Sequence, residues 1–161
     1  MTVRGDDVHV HVGRILADES GLLGELEGLL SKETDILRGD DVAAIERIGF
    51  TRHRCVDALA RLEAERADVC RMLSYGVGRA AFEQLLTWCD RAQTLRQRWL
   101  ANLEAARRCK EINDRNGALV SAKLVRVQKL LTAIRGTAPP PVYSARGSRH
   151  GALGRRDFGC A

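Results

Sequence analysis

All three prolines of this 161-residue chain stand together, at Pro139, Pro140 and Pro141. The 138 residues before them contain none. Proline removes a backbone donor and breaks helices from within, so its absence over so long a stretch leaves uninterrupted helices open to the chain. Leu, Ala, Val, Arg and Glu carry most of this stretch, and aromatic residues make up only 4% of the chain. An all-β sandwich or barrel needs β-branched and aromatic strands punctuated by turn residues, and is excluded on this composition. An all-α fold is expected.

No run approaches 18 uninterrupted apolar residues, the length of a membrane-spanning helix. The opening MTVRGDDVHVHVGR lacks a basic-then-apolar signal pattern, so a cytoplasmic protein is expected. Five cysteines, Cys55, Cys70, Cys89, Cys109 and Cys160, include no CxxC pair. Four of them fall inside helical patterns, which fits reduced thiols better than a disulfide framework.

The net charge of +5 is unevenly placed. Residues 1–38 hold 4 basic and 8 acidic side chains, whereas residues 79–135 hold 12 and 5. An acidic first helix packed on a basic last one neutralises much of this asymmetry internally. Nucleic-acid binding is not expected, because the basic stretch lacks interleaved stacking aromatics.

Alternating steps of three and four residues trace the seams of a helical bundle. The first line runs Leu16, Glu19, Leu23, Leu26, Leu30, Glu33 and Leu37, with Val8 and Val12 as inward residues of an earlier start. Gly21, Gly24 and Gly28 weaken this helix, which Arg38-Gly39 ends. Asp40 and Asp41 offer a cap for the next. The second line runs Ile45, Ile48, Arg52, Cys55, Leu59, Leu62, Arg66, Val69 and Leu73, and Tyr75-Gly76-Val77-Gly78 is a turn. The third starts at Phe82 and keeps the alternation through Leu85, Cys89, Ala92, Arg96, Trp99, Leu103, Ala106, Lys110, Asn113, Gly117, Val120, Leu124, Val127, Leu131 and Ile134. A turn at Asn116-Gly117 has no reason to preserve that register, so residues 79–135 are expected to form one helix. The competing division breaks it there and gives four helices.

The expected architecture is therefore an antiparallel three-helix bundle or coiled coil over residues 1–135, with helices at about 8–38, 40–75 and 79–135. Residues 136–161, with all the prolines, five glycines and no apolar periodicity, are expected to form a flexible tail. At 1.5 Å per residue the second helix covers about 50 Å of a third helix about 85 Å long. The uncovered end carries Val120, Leu124, Val127, Leu131 and Ile134 as an apolar stripe. Lys123, Arg126 and Lys129 flank it. A long uncovered apolar face marks an interaction surface, and an amphipathic partner helix with acidic flanks is the natural occupant. A homodimer through the same stripe, making the chain a self-associating coiled-coil scaffold, is the alternative.

Nothing points to catalysis or to a cofactor. His9 and His11 diverge on a helix, and no ligand cluster joins them at metal spacing. Cys55 and Cys89 lie on seams, as small core residues do. Glu33 on the first seam and Arg52, Arg66, Arg96 and Lys110 on the others read as interhelical ion pairs that set register. No phosphate-binding, nucleotide-binding or nucleophile-elbow motif is present.

Leu30-Ser31-Lys32-Glu33 in the first helix, the regularly spaced Leu and Arg of the second, Asn113-Asp114-Arg115-Asn116-Gly117 in the third and Tyr143-Ser144-Ala145-Arg146-Gly147 after it together resemble the FlgN family over residues 10–160. The resemblance implies a bacterial cytoplasmic chaperone, monomeric or weakly dimeric when free. Its implied partners are the hook–filament junction proteins, held by their C-terminal amphipathic helix, and the flagellar type III export gate. By position, Val120, Leu124, Val127, Leu131 and Ile134, with Lys123 and Arg126, would face the substrate, and Tyr143 would dock on the gate.

Overall fold

The computed structural model describes residues 4–39 and 41–135. They form four helices: α1 (Gly5–Arg38), α2 (Val42–Met72), α3 (Arg79–Cys89) and α4 (Thr94–Arg135). The chain divides into two units, Met1–Val120 and Ser121–Ala161, with α4 running from the first into the second.

The local chemistry accounts for each boundary. Asp6 and Asp7 lie in the first turn of α1, where their charge complements the helix dipole. Asp41 caps α2 by accepting from the Ala44 amide at 2.9 Å; Asp40 lies outside the described residues. Ser74, Gly76 and Gly78, all at positive φ, turn the chain into α3. The second helix thus stops at Met72, a little short of the expected residue 75.

The expected single helix over 79–135 is two helices, which corrects the three-helix count. The break falls at Asp90–Gln93 and not at Asn116-Gly117, through which α4 is continuous. Asp90 explains it. Its buried carboxylate accepts from the Thr94 amide at 3.1 Å, the Thr94 hydroxyl at 3.3 Å and the Arg96 amide at 2.8 Å. It therefore gathers the free donors that begin a new helix, and Gln93 turns the chain at φ 59°.

Within the first unit, paired residues run in opposite senses on α1 and α2. Glu19 meets Arg66 and Glu33 meets Arg52. Pairings between α1 and α4 run in the same sense, with Asn102 at Leu16 and Asn116 at Leu30. Every residue expected on the α1 seam is buried, Val8 and Val12 included.

Two apolar clusters alternate with two polar layers. The larger cluster gathers Val12, Ile15 and Leu16 of α1, Cys70 of α2, Leu85 and Leu86 of α3, and Trp99 of α4 among others. Phe82 meets Trp99 edge to face at 5.3 Å. The smaller cluster holds Leu23, Leu26, Leu30, Cys55 and Cys109.

In the layer between them, Asn102 Nδ2 donates to the Leu16 carbonyl at 2.9 Å and to Glu19 at 3.4 Å. Arg66 donates to both Glu19 oxygens, at 3.0 and 3.3 Å. Fourteen residues along α1 and α4, and fourteen back along α2, the arrangement recurs. Asn116 Nδ2 donates to the Leu30 carbonyl at 2.9 Å and Glu33 at 3.0 Å, with Arg52 Nε 3.5 Å from the same carboxylate.

Gly21, Gly24 and Gly28 lie on α1 where an added Cβ would meet nothing within 4 Å. Each costs the helix about 1 kcal/mol relative to alanine. Replacing all three with alanine is expected to raise the melting temperature by roughly 10 °C, read by circular dichroism. A fall would show that another surface needs them small.

Candidate protein-binding face

The inward face of α4 is set by its hydrogen bonds to α1. Asn102, Cys109 and Asn116, seven residues apart, reach the carbonyls of Leu16, Leu23 and Leu30. Trp99 and Leu95 are buried above them, and Ala105 and Ile112 pack from the same side. This corrects the seam expected from spacing. Leu103, Ala106, Lys110, Asn113 and Gly117 are exposed, one residue past the true line.

Two causes combine. The break at Asp90–Gln93 resets the phase of the helix, and the true seam carries two asparagines and a cysteine that an apolar count passes over. Lys110 accordingly pairs with Asp114 on its own helix at 2.7 Å, while Asn113 turns toward α2 and accepts from Arg52 at 3.0 Å.

Val120, Leu124, Val127, Leu131 and Ile134 are all exposed, from 41% at Val120 to 80% at Ile134. Steps of four, three, four and three hold them on one face of α4. Leu130, 56% exposed, adjoins that face, and Val125 is exposed elsewhere on the helix. Spacing alone did not find Leu130, because it lies off the strict line. Arg126 and Lys129 are exposed and Lys123 is half-buried. Residues 121–135 contain four Lys or Arg and no Asp or Glu. The face is thus a run of large apolar side chains on a helical stretch that carries cations and no acid of its own. Tyr143 lies outside the described residues.

The other candidates are placed without chemistry. His9 Nδ1 donates to the Cys89 carbonyl at 3.1 Å, while His11 Nε2 lies 3.4 Å from Glu65, so the two point to different partners. Among the described residues no group of three or more His, Cys, Asp or Glu converges to hold a metal. Burial pushes the thiols of Cys55, Cys70, Cys89 and Cys109 up from their ordinary range, which disfavours the reactive thiolate. Burial also raises the Glu19 carboxyl, against the pull of Arg66 and the Asn102 hydrogen bond. Among the described residues no helix is long and apolar enough to cross a membrane.

A helical bundle that exposes a long apolar face on its last helix has the build of a protein-binding module. A family model described as FlgN protein matches residues 12–151. The chain belongs to the FlgN family, a family of flagellar export chaperones and not of enzymes. No curated protein matches it, and no solved structure does.

Proposed function

We propose that this protein is a cytoplasmic chaperone of hook–filament junction proteins, working by apolar burial alone. Val120, Leu124, Val127, Leu131 and Ile134 receive the partner's C-terminal amphipathic helix, and Lys123 and Arg126 attract acidic side chains along its edges. Covered in this way, the partner helix has no free apolar face with which to assemble early. The complex then moves to the flagellar type III export apparatus, where Tyr143 docks on the gate.

The observation that carries this reading is the exposure of all five stripe residues on a chain of this family. Covering each gains its remaining exposed share of the about 1.5–3 kcal/mol that full burial of such a side chain provides. The charge pattern weighs against a self-associating scaffold, since two copies would each set Arg126 and Arg135 beside one seam with no acid in residues 121–135 to offset them. The free protein is thus expected to be a monomer or a weak dimer. The test is a titration of the chain into a fluorescently labelled C-terminal helix of a junction protein. Saturable binding that a scrambled peptide lacks supports the reading, and equal, weak response to both peptides removes it.

A further inference from the structure

The order of residues within the stripe bears on how many helices cover it. Its spacing places Leu124 and Leu131 at a positions of a heptad, and Val120, Val127 and Ile134 at d positions. Two-stranded parallel coiled coils favour the reverse, β-branched residues at a and Leu at d; Leu at a with Ile at d goes with three or four strands. The width of the face agrees. At 100° per residue, adding exposed Leu130 at a g position gives an apolar arc of about 120° over residues 124–134, with Lys123 at the g position one heptad earlier. A two-stranded seam is narrower.

Val127, Leu130 and Ile134 form one flank of the arc, and Val120, Leu124 and Leu131 the other. Arg126 lies beyond the first flank and Arg135 beyond the second, and both are exposed. With no acid anywhere in residues 121–135, each flank calls for an acidic neighbour and disfavours a second copy of this chain.

We propose that the stripe seats two amphipathic helical segments of one acidic partner at once, one on each flank, so that α4 becomes one strand of a three-stranded assembly. This rests on the reading of the stripe as a partner site and specifies the partner's form.

Two synthetic probes test it on the full chain. One is a single amphipathic helix with a Leu/Ile seam and glutamates at its edges; the other is a hairpin joining two copies of that helix. Calorimetric stoichiometry and sedimentation mass should give two single helices, or one hairpin, per chain. The hairpin should bind at least about 100-fold more tightly through effective concentration. Leu130→Gln with Ile134→Asp should lower the stoichiometry of the single helix from two to one while leaving helicity unchanged. Should that variant lose helicity, Leu130→Gln alone is expected to weaken the hairpin more than the single helix. One single helix per chain at saturation, with no gain from the hairpin, overturns the proposal and leaves the chaperone reading standing. So does a defined oligomer of the chain alone that excludes both probes. Failure of the junction-protein titration described above removes the chaperone reading itself.

Discussion

Leu124→Asp combined with Leu131→Asp will abolish capture of the partner helix and leave the melting of the bundle almost unchanged. Both side chains are exposed in the free protein, at 58% and 42%. Surface substitutions of this kind shift stability by about 0.5 kcal/mol or less. In the complex the same positions sit at the centre of the stripe. Exposed at 58% and 42%, the two leucines have together about one side chain's surface left to bury, about 1.5–3 kcal/mol of transfer free energy, and the new carboxylates must be desolvated as well. Affinity should fall by a factor of at least about 100. Fluorescence anisotropy reads the binding, and thermal circular dichroism reads the fold. A variant that unfolds with its binding would show that these leucines belong to a core.

The second large effect is expected in the first polar layer. Arg66→Met leaves the Glu19 carboxylate, 8% exposed, without its cation. Removing one partner of a buried pair costs about 3–5 kcal/mol; since the Arg66 side chain is 22% exposed, about 2–4 kcal/mol is expected here. The loss should depend on pH in a defined direction. Burial already holds the Glu19 carboxyl above its ordinary value of 4.5, and Arg66 opposes that shift. Without Arg66 the folded-state value rises further.

Below about pH 4.5 the carboxyl is protonated in both folded and unfolded chains, and the penalty vanishes. As pH rises through the raised folded value, the buried charge appears and the deficit grows to its full size. Urea melts of both proteins at pH 7 and pH 5 should therefore differ less at the lower pH. A difference independent of pH would assign the loss to packing of Arg66 over Phe82, whose ring centroid lies 5.0 Å away. Replacing the whole layer, with Glu19→Leu, Arg66→Met and Asn102→Leu, should recover most of the stability.

The contrast between α1 and α4 shows what spacing can carry. On α1 all seven residues from Leu16 to Leu37 are buried, because an unbroken helix with leucine at five of seven inward positions admits one phase. On α4 the inward positions include Asn102, Cys109 and Asn116, which satisfy main-chain carbonyls and an acid. Hydrophobic counting rewards Leu103, Ala106 and Val120 one residue further on, and a line drawn from Phe82 across the break slides onto them. The break itself had a signal: Asp90 followed by Thr94, with neither Gly nor Pro to mark it. The exposed stripe was legible in its spacing. Its exposure follows from the mismatch of helix lengths, and its line prolongs the face that Leu103 and Asn113 share, not the core seam of Asn102, Cys109 and Asn116. The ion pairs Glu33–Arg52 and Glu19–Arg66 were legible as charged residues on apolar lines, where burial demands a partner.

The repeat of the two layers also governs translation along the bundle. If α4 slid by one heptad toward the end of α1, Asn102 would arrive at Leu23 and Cys109 at Leu30, and both carboxylates would lose their amides. A slide of two heptads would restore one layer and strand the other. Leucine surfaces alone permit creep of one helix past another, whereas these layers admit a single axial alignment. A pull along α4 would have to break the hydrogen bonds of the layers at Glu19 and Glu33 before the helix could slide.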